Sequence, residues 1–361
     1  MSLDHYVTLG RSGLRVSPFC LGTMTFGEDL GWGSSVKDSE AILDRYLELG
    51  GNFIDTANFY TKGHSEKIIG DHLGHDRQRR DRLVIATKFS GNLDIGDPNG
   101  GGSNRKSIFA ACEQSLRRLR TDYIDLYWLH NWDKWTPIEE TMAALHDLVQ
   151  AGKVRYIAVS DTPAWKVAQA QVIAQFRGWS PFIGLQIEYS LLERTVEGEL
   201  IPMAQELGLG VTPWSPLRSG VLSGKYTRKN AASSKPEGRQ WAANYLDDKS
   251  YAVIEELERI ARELDTTVAR VALAWVQARP GVTSTIIGAR TLTQLDDNLK
   301  ALQVQLRPEQ TAALDGLTQP KLNFPAEFLE LARMLQAGGT TINGQAAQLL
   351  PFGVTEKGDH Y

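Results

Sequence analysis

GNFIDTANFYTKGHSEKIIG, residues 51–70, begins as a buried strand and then breaks its own pattern. Phe53 and Ile54 end an apolar run, yet Asp55 follows at once and Tyr60 stands five residues further on, ahead of a turn at Gly63. Taken alone, such a stretch is a strand leading through a helix N-cap to a packing tyrosine. Its meaning depends on what the flanking sequence repeats.

Outward from this point, short apolar runs alternate with longer segments of helical period. Strands are expected at 19–21, 53–54, 83–86, 124–129, 154–159, 183–187, 211–214 and 285–287. Between them Ile42, Leu43, Tyr46 and Leu47 recur on one helical face, as do Met142, Leu145, Leu148 and Val149, and again Ile254, Leu257, Ala261 and Leu264. Eight strand-helix alternations without a break in composition predict one α/β domain over residues 1–361, a closed (β/α)8 TIM barrel. YVTLGRSGLRVSPFCLG, residues 6–22, places a glycine-containing turn between apolar segments and predicts an N-terminal β-hairpin within residues 1–18 that plugs the barrel bottom. A long insertion, residues 215–283, separates the seventh and eighth strands, and loops of that length in compact folds are usually functional. Its segment 219–249 is rich in Gly, Ser and basic residues and is expected to close over a bound cofactor. The tail, 320–361, has weak periodicity and is expected to lie across one end of the barrel.

Composition narrows the class. Apolar residues at 42% and charged residues at 23% are ordinary for a soluble globular chain with a full core. A formal charge of -4 gives no electrostatic case for nucleic acid, and the basic run Arg77–Arg82 reads as a solvated loop before a strand. Cys20 and Cys112 match no metal-ligand spacing and suit a reduced, cytoplasmic setting. No apolar run reaches membrane-spanning length, and the oligomeric state is left open.

In such a barrel the side chains at the C-terminal strand ends converge on one mouth. Asp55 ends the second strand, Lys88 the third and His130 the fourth, with Tyr60 in the loop that starts from Asp55. A lysine or histidine at one strand end is unremarkable, but ionisable residues at three consecutive ends beside a tyrosine suit proton donation to a carbonyl oxygen. A phenol with its ordinary pKa of about 10 is a poor acid near neutrality, and a neighbouring ammonium is expected to lower that value. Lys88 supplies the ammonium, Asp55 keeps it charged, and His130 can orient the carbonyl.

The chain resembles the aldo-keto reductases over nearly its whole length, most closely the bacterial and plant-type branch related to potassium-channel β subunits. The resemblance rests on CLGTMTFG (20–27), GNFIDTANFY (51–60), ATKFS (86–90), DYIDLYWLH (122–130), GKVRYIAVSDTPAW (152–165), LQIEYSLLER (185–194), VTPWSPLRSGVLSGKY (211–226) and TIIGARTLTQLDDNLKAL (285–302), in that order. It implies the reduction of a small-molecule carbonyl with NADPH, and it places the family's catalytic tetrad on Asp55, Tyr60, Lys88 and His130. It implies that Ser160, Asp161 and Gln186 hold the nicotinamide carboxamide, with Asp161 a departure from the usual Asn, and that Trp214 stacks on the nicotinamide. Ser215, Pro216, Leu217, Gly220, Leu222 and Lys225 match the loop over the pyrophosphate. Gly288, Ala289, Arg290, Gln294 and Asn298 match the adenosine end, with Arg290 placed for a 2'-phosphate. Gly22, Thr23 and Met24 are assigned to the nicotinamide ribose.

Phe26, Trp32 and Trp132 are candidates for an aromatic substrate pocket, whereas Trp165, His64, His72 and His75 read as packing or surface residues. Three other readings compete. A metal-dependent barrel hydrolase could use Asp55 and His130, but LGTMTFG lacks an H-x-H at the first strand end, and no metal site is expected. A Schiff-base aldolase would need a neutral Lys88, which Asp55 opposes. A regulatory cofactor-binding subunit of the channel-β type would keep the same site.

Overall fold

The structure is a computed structural model that describes residues 1–229, 240–354, 356 and 358. The stretch Asn230–Lys235, on which part of the expected cofactor loop falls, lies outside the described residues.

Eight parallel strands form the barrel: β3 (Phe19–Gly22), β4 (Phe53–Asp55), β5 (Val84–Phe89), β6 (Ile124–Leu129), β7 (Val154–Ser160), β8 (Phe182–Glu188), β9 (Gly210–Trp214) and β10 (Thr285–Gly288). They are ordered β10-β3-β4-β5-β6-β7-β8-β9. The circle closes between its ends through a parallel bridge, Val211 to Val282, with the Thr283 amide donating to the Val211 carbonyl at 2.8 Å. Helices α1 (Val36–Glu48), α2 (His64–Leu73), α3 (Arg77–Arg80), α4 (Arg105–Leu119), α5 (Ile138–Gln150), α6 (Ala164–Arg177) and α7 (Leu200–Leu207) fill the crossovers. The insertion before β10 carries α8 (Asp248–Glu263) and α9 (Val268–Gln277), and α10 (Leu292–Leu299) and α11 (Pro308–Thr318) follow.

Helical period becomes burial directly. In α8, Val253, Ile254, Leu257, Ile260 and Ala261 are buried on one face, and Asp247 caps the start by accepting the Ser250 amide at 2.7 Å. Each Val, Ile or Leu among them contributes about 1.5–3 kcal/mol by leaving water. Strand parity sorts the sheet in the same way. One set of side chains packs outward against helices, and the other, including Cys20, Phe53, Ala86, Leu126, Trp128 and Ala158, fills the interior.

The hairpin of β1 (Val7–Thr8) and β2 (Arg15–Val16) sits under this interior, with Leu9 and Val16 fully buried in the same cluster. Gly10 makes that floor possible: its φ is +60°, and a Cβ there would lie 2.4 Å from the Gly208 carbonyl oxygen.

One expectation needs correction. The 77–82 run is not simply a solvated loop: α3 turns Arg80 inward, 3% exposed, against the Asp125 carboxylate at 2.6 Å and the Tyr123 ring at 4.2 Å. The tail is more ordered than its periodicity suggested, forming α12 (Ala326–Ala337) and a small hairpin of β11 (Thr341–Ile342) and β12 (Gln345–Ala346). Its hydrogen bonds among the described residues run within the tail, as from Arg333 to the Ala346 carbonyl at 2.7 Å.

Candidate active site

Parity fixes which side chains reach the mouth. Counting inward positions up the strands brings Asp55, Lys88, Ser160, Gln186 and Trp214 to the C-terminal ends of β4, β5, β7, β8 and β9, with His130 one residue past β6. The ladders lock this arrangement, pairing Gly22 with Asp55, Lys88 with Trp128 and Ser160 with Gln186. Tyr60 arrives differently. After β4, the Thr56 and Asn58 amides bond back to the Ala86 and Lys88 carbonyls, and a turn through Thr61 (φ 46°), Lys62 (φ 60°) and Gly63 (φ 91°) carries Tyr60 over the mouth. Two non-glycine residues in the left-handed region are a local strain that the surrounding bonds must hold.

Lys88 is the centre of the arrangement. Its fully buried ammonium donates to the Asp55 carboxylate, to the Thr56 carbonyl at 2.8 Å and to the Tyr60 hydroxyl at 3.1 Å. Burial alone would strip its proton, but the Asp55 charge and the phenol more than offset that and hold Lys88 protonated. Asp55 takes a further bond from Gln186 Nε2 at 3.1 Å. For Tyr60 the expectation is modified: burial pushes the phenol above its ordinary value, and the pull of Lys88 does not reverse this. His130 stands edge-on to Tyr60 with ring centres 6.0 Å apart. Burial, aided by the Lys88 charge, keeps the imidazole well below its usual pKa, so it is neutral, and its Nδ1 has no partner among the described residues.

Around this centre the other expected residues divide. Ser160 Oγ is buried and makes no well-formed hydrogen bond among the described residues, next to Gln186 and to Asp161, whose φ is +39°. Asp161 Oδ1 accepts the Trp214 indole N–H at 3.0 Å, and its carboxyl opens onto the mouth. Crowding at the strand ends pushes that carboxyl up to about 6; the Trp214 bond opposes the rise and Glu188 adds to it. The expected consequence is a transition in indole fluorescence centred near pH 6 in the wild type and missing from Asp161→Asn. A difference titration across about pH 5 to 7 checks it, and identical curves would return Asp161 to an ordinary carboxyl.

The loop after β9 holds Ser215, Arg218, Ser219 and Gly220 at positive φ. Arg218 pairs with Glu188, and its guanidinium lies 4.2 Å above the Tyr245 ring, fixing the loop beside Pro216 and the buried Leu222. At β10, Gln294 Oε1 accepts the Arg290 amide at 2.9 Å and Asn298 Nδ2 donates to the Gly288 carbonyl at 3.1 Å, so these two side chains shape the backbone around Ala289. Thr23 is also spent internally, its hydroxyl on the Asp55 carbonyl at 3.0 Å, whereas Met24 is exposed.

The aromatic pocket needs correction. Phe26 is fully buried in the core beside α1, because the Phe26 amide bonds back to the Thr23 carbonyl and the loop folds inward. Trp132 lines a cleft of about 830 Å³ between the loops that follow β5 and β6, and the core-packed Phe26 does not. Sequence reasoning missed Phe59, 43% exposed and 5.1 Å from the His130 ring, and Trp135, 85% exposed on the same cleft. It also missed Trp128, whose buried indole N–H lies close enough to Asp55 to favour the charged carboxylate. Among the described residues no three His, Cys, Asp or Glu side chains gather as a metal site. Nor, among the described residues, is any helix long and apolar enough to cross a membrane.

Residues 18–319 match the family model described as the aldo/keto reductase family. The chain belongs to that family. An uncharacterized oxidoreductase of Bacillus subtilis, YrpG, is 41% identical over 84% of this chain and 93% of its own length. Norsolorinic acid reductase of Aspergillus flavus is 36% identical over 90% of this chain and 84% of its own. A putative aryl-alcohol dehydrogenase of Saccharomyces cerevisiae, AAD14, is 35% identical over 88% and 87%. This aldo/keto reductase is thus an oxidoreductase, and the buried Asp55–Lys88 pair and the Tyr60 bonded to it lie within the matched span.

Proposed function

We propose that the chain reduces aryl aldehydes or ketones to alcohols with NADPH, with Tyr60 as the general acid. The observation that carries this reading is the bifurcated role of Lys88, which binds Asp55 and the Tyr60 hydroxyl from a fully buried position. A carbonyl oxygen placed between Tyr60 and the neutral His130 would meet two donors, the phenol and an imidazole N–H. As negative charge develops on that oxygen, Tyr60 gives up its proton, and Lys88 stabilises the phenolate left behind. Asp55 holds the ammonium in place throughout.

The residues present fit a nicotinamide dinucleotide. Ser160 Oγ is a buried polar atom without a well-formed hydrogen bond among the described residues, Gln186 has its amide oxygen left over after donating to Asp55, and Trp214 offers an indole fixed by Asp161. When bound there, the reduced nicotinamide supplies a hydride to the carbonyl carbon. The aryl preference is taken from the names of the relatives and from Phe59 and Trp132 at the mouth. Consumption of NADPH with an aryl aldehyde, and with none of it when the aldehyde is omitted, is the direct test.

Arg290 is the residue assigned to the 2'-phosphate. Its backbone is held by Gln294, and its guanidinium makes no bond with the described residues. A hydrogen bond to a charged group is worth about 1.5–3 kcal/mol, so Arg290→Ala is expected to weaken NADPH by about 10- to 150-fold and to leave NADH nearly unchanged. Fluorescence titration with both dinucleotides separates this from a supporting role, in which both would weaken alike.

A further inference from the structure

We propose that the cleft between the loops after β5 and β6 is an outer subsite for a neutral sugar carried by the substrate, so that aryl glycosides with a reducible carbonyl are preferred over the bare aryl compounds. The inference rests on the carbonyl-reducing reading and names its substrate class.

The cleft is lined by the residues that directly follow two of the catalytic strand ends. Ser90 lies two residues past Lys88, and Asn131 and Trp132 follow His130 directly, so the opening of about 830 Å³ continues outward from the two strand ends that carry the lysine and the histidine. Phe59 stands at the junction, packed so closely that a Cβ on Gly91 would lie 2.7 Å from its ring. An aryl group reduced at Tyr60 would therefore direct any substituent opposite its carbonyl toward this cleft.

Its walls are held ready. The Asp133 carboxylate takes the Ser103 amide at 2.9 Å from one loop and the Trp135 amide at 3.0 Å and Thr136 hydroxyl at 2.7 Å from the other, joining the two sides. The Gly102 amide closes the first loop on the Ser90 carbonyl at 2.9 Å, and Asn92 Nδ2 braces it on the Asp97 carbonyl at 3.1 Å. Ser90 itself sits at φ +97°, and its buried hydroxyl has no partner among the described residues. Strain and an unmet hydroxyl in one residue are what a ligand site retains.

The lining chooses the ligand. Trp135 presents an indole 85% exposed, a flat apolar face at the edge of a polar cleft. The side-chain amides of Asn99 and Asn131 line the cleft and make no hydrogen bond among the described residues. A flat indole beside unspent amides matches a pyranose, which has an apolar C–H face and a rim of paired hydroxyls that both give and accept hydrogen bonds. A second aryl ring would leave the amides unmet. An anionic group is disfavoured, because Asp97, Asp133 and Glu140 outnumber Lys134 around the cleft.

The test compares 4-hydroxybenzaldehyde with its 4-O-β-glucoside, each with NADPH. Two added hydrogen bonds of ordinary net strength make the glucoside better in kcat/KM by about tenfold, mainly through KM. That ratio is expected to fall to about one in Trp135→Ala and in the Asn99→Ala, Asn131→Ala double variant, and to survive in Trp135→Phe, which keeps a flat ring. Binding of phenyl β-glucoside and of phenol, neither of which can be reduced, is measured alongside by saturation-transfer NMR. If neither aldehyde is reduced, yet phenyl glucoside binds the wild type and not Trp135→Ala, the subsite stands and the carbonyl reading falls. A glucoside that reacts no better than its aglycone overturns the subsite, as does phenyl glucoside binding that Trp135→Ala leaves intact.

Discussion

Tyr60→Phe is expected to lower kcat by about 10²–10⁴-fold, the usual contribution of a positioned general acid. The substitution removes one oxygen, which makes a single hydrogen bond, to Lys88 at 3.1 Å, and leaves the ring against Phe59 and His130. Packing is therefore kept and only the proton is lost. NADPH affinity is expected to stay close to wild type, because no contact assigned to the dinucleotide passes through the phenol. Single-turnover kinetics give the chemical step and fluorescence titration gives the affinity. A variant that turns over within a few-fold of wild type would remove Tyr60 from the reaction; one that loses affinity as well would make it a binding residue.

Lys88→Met is expected to cost about 3–5 kcal/mol of stability at neutral pH, because it leaves the buried Asp55 carboxylate without its cation. The sign with pH follows from burial. Desolvation already raises the Asp55 carboxyl, and removing Lys88 takes away the main opposing influence. The folded variant then holds a proton more tightly than its unfolded chain does. The penalty is full above the raised folded pKa and shrinks as pH falls through it toward the ordinary carboxylate value. Urea unfolding of both proteins at neutral and at mildly acidic pH measures this: the gap should narrow in acid. Adding Asp55→Asn to Lys88→Met should recover much of the loss, since no charge is then left unpaired. A gap that stays constant with pH, or widens, would mean that Asp55 is not the group left stranded. Activity should be lost in both variants, because the phenolate loses its counter-charge.

Much of the centre was legible because strand parity is a rigid rule. Once Phe53, Ala86 and Leu126 are assigned to the interior, Asp55, Lys88 and His130 two or four residues later have only one place to go. Gln186 came from the family resemblance alone, and its bond to Asp55 was hidden, since two side chains 131 residues apart meet only when the barrel closes. Loop residues have no parity. Phe26 was read as pocket-lining because nothing in its neighbours reveals that the 23–34 segment folds inward, with Ser34 bonding back to Thr25. Trp135 was passed over because a lone aromatic in a polar run has no period to mark it. Its exposure depends on Asp133, whose joining of two loops cannot be seen from either loop alone. The tail's helix was hidden for an energetic reason: apolar residues such as Phe328, Leu329 and Leu335 remain exposed there, so no buried stripe emerges from the pattern.

The hairpin floor has an effect on traffic. With Leu9 and Val16 sealed into the bottom and Gly10 pressed against Gly208, the barrel is a cup rather than a tube. Anything that reaches Tyr60 must pass the upper rim, and it must go back the same way. The side chains packed above the hairpin, from Cys20 to Ala158, close the bottom route a second time, so the floor serves the chemistry by holding the strand ends at a fixed height.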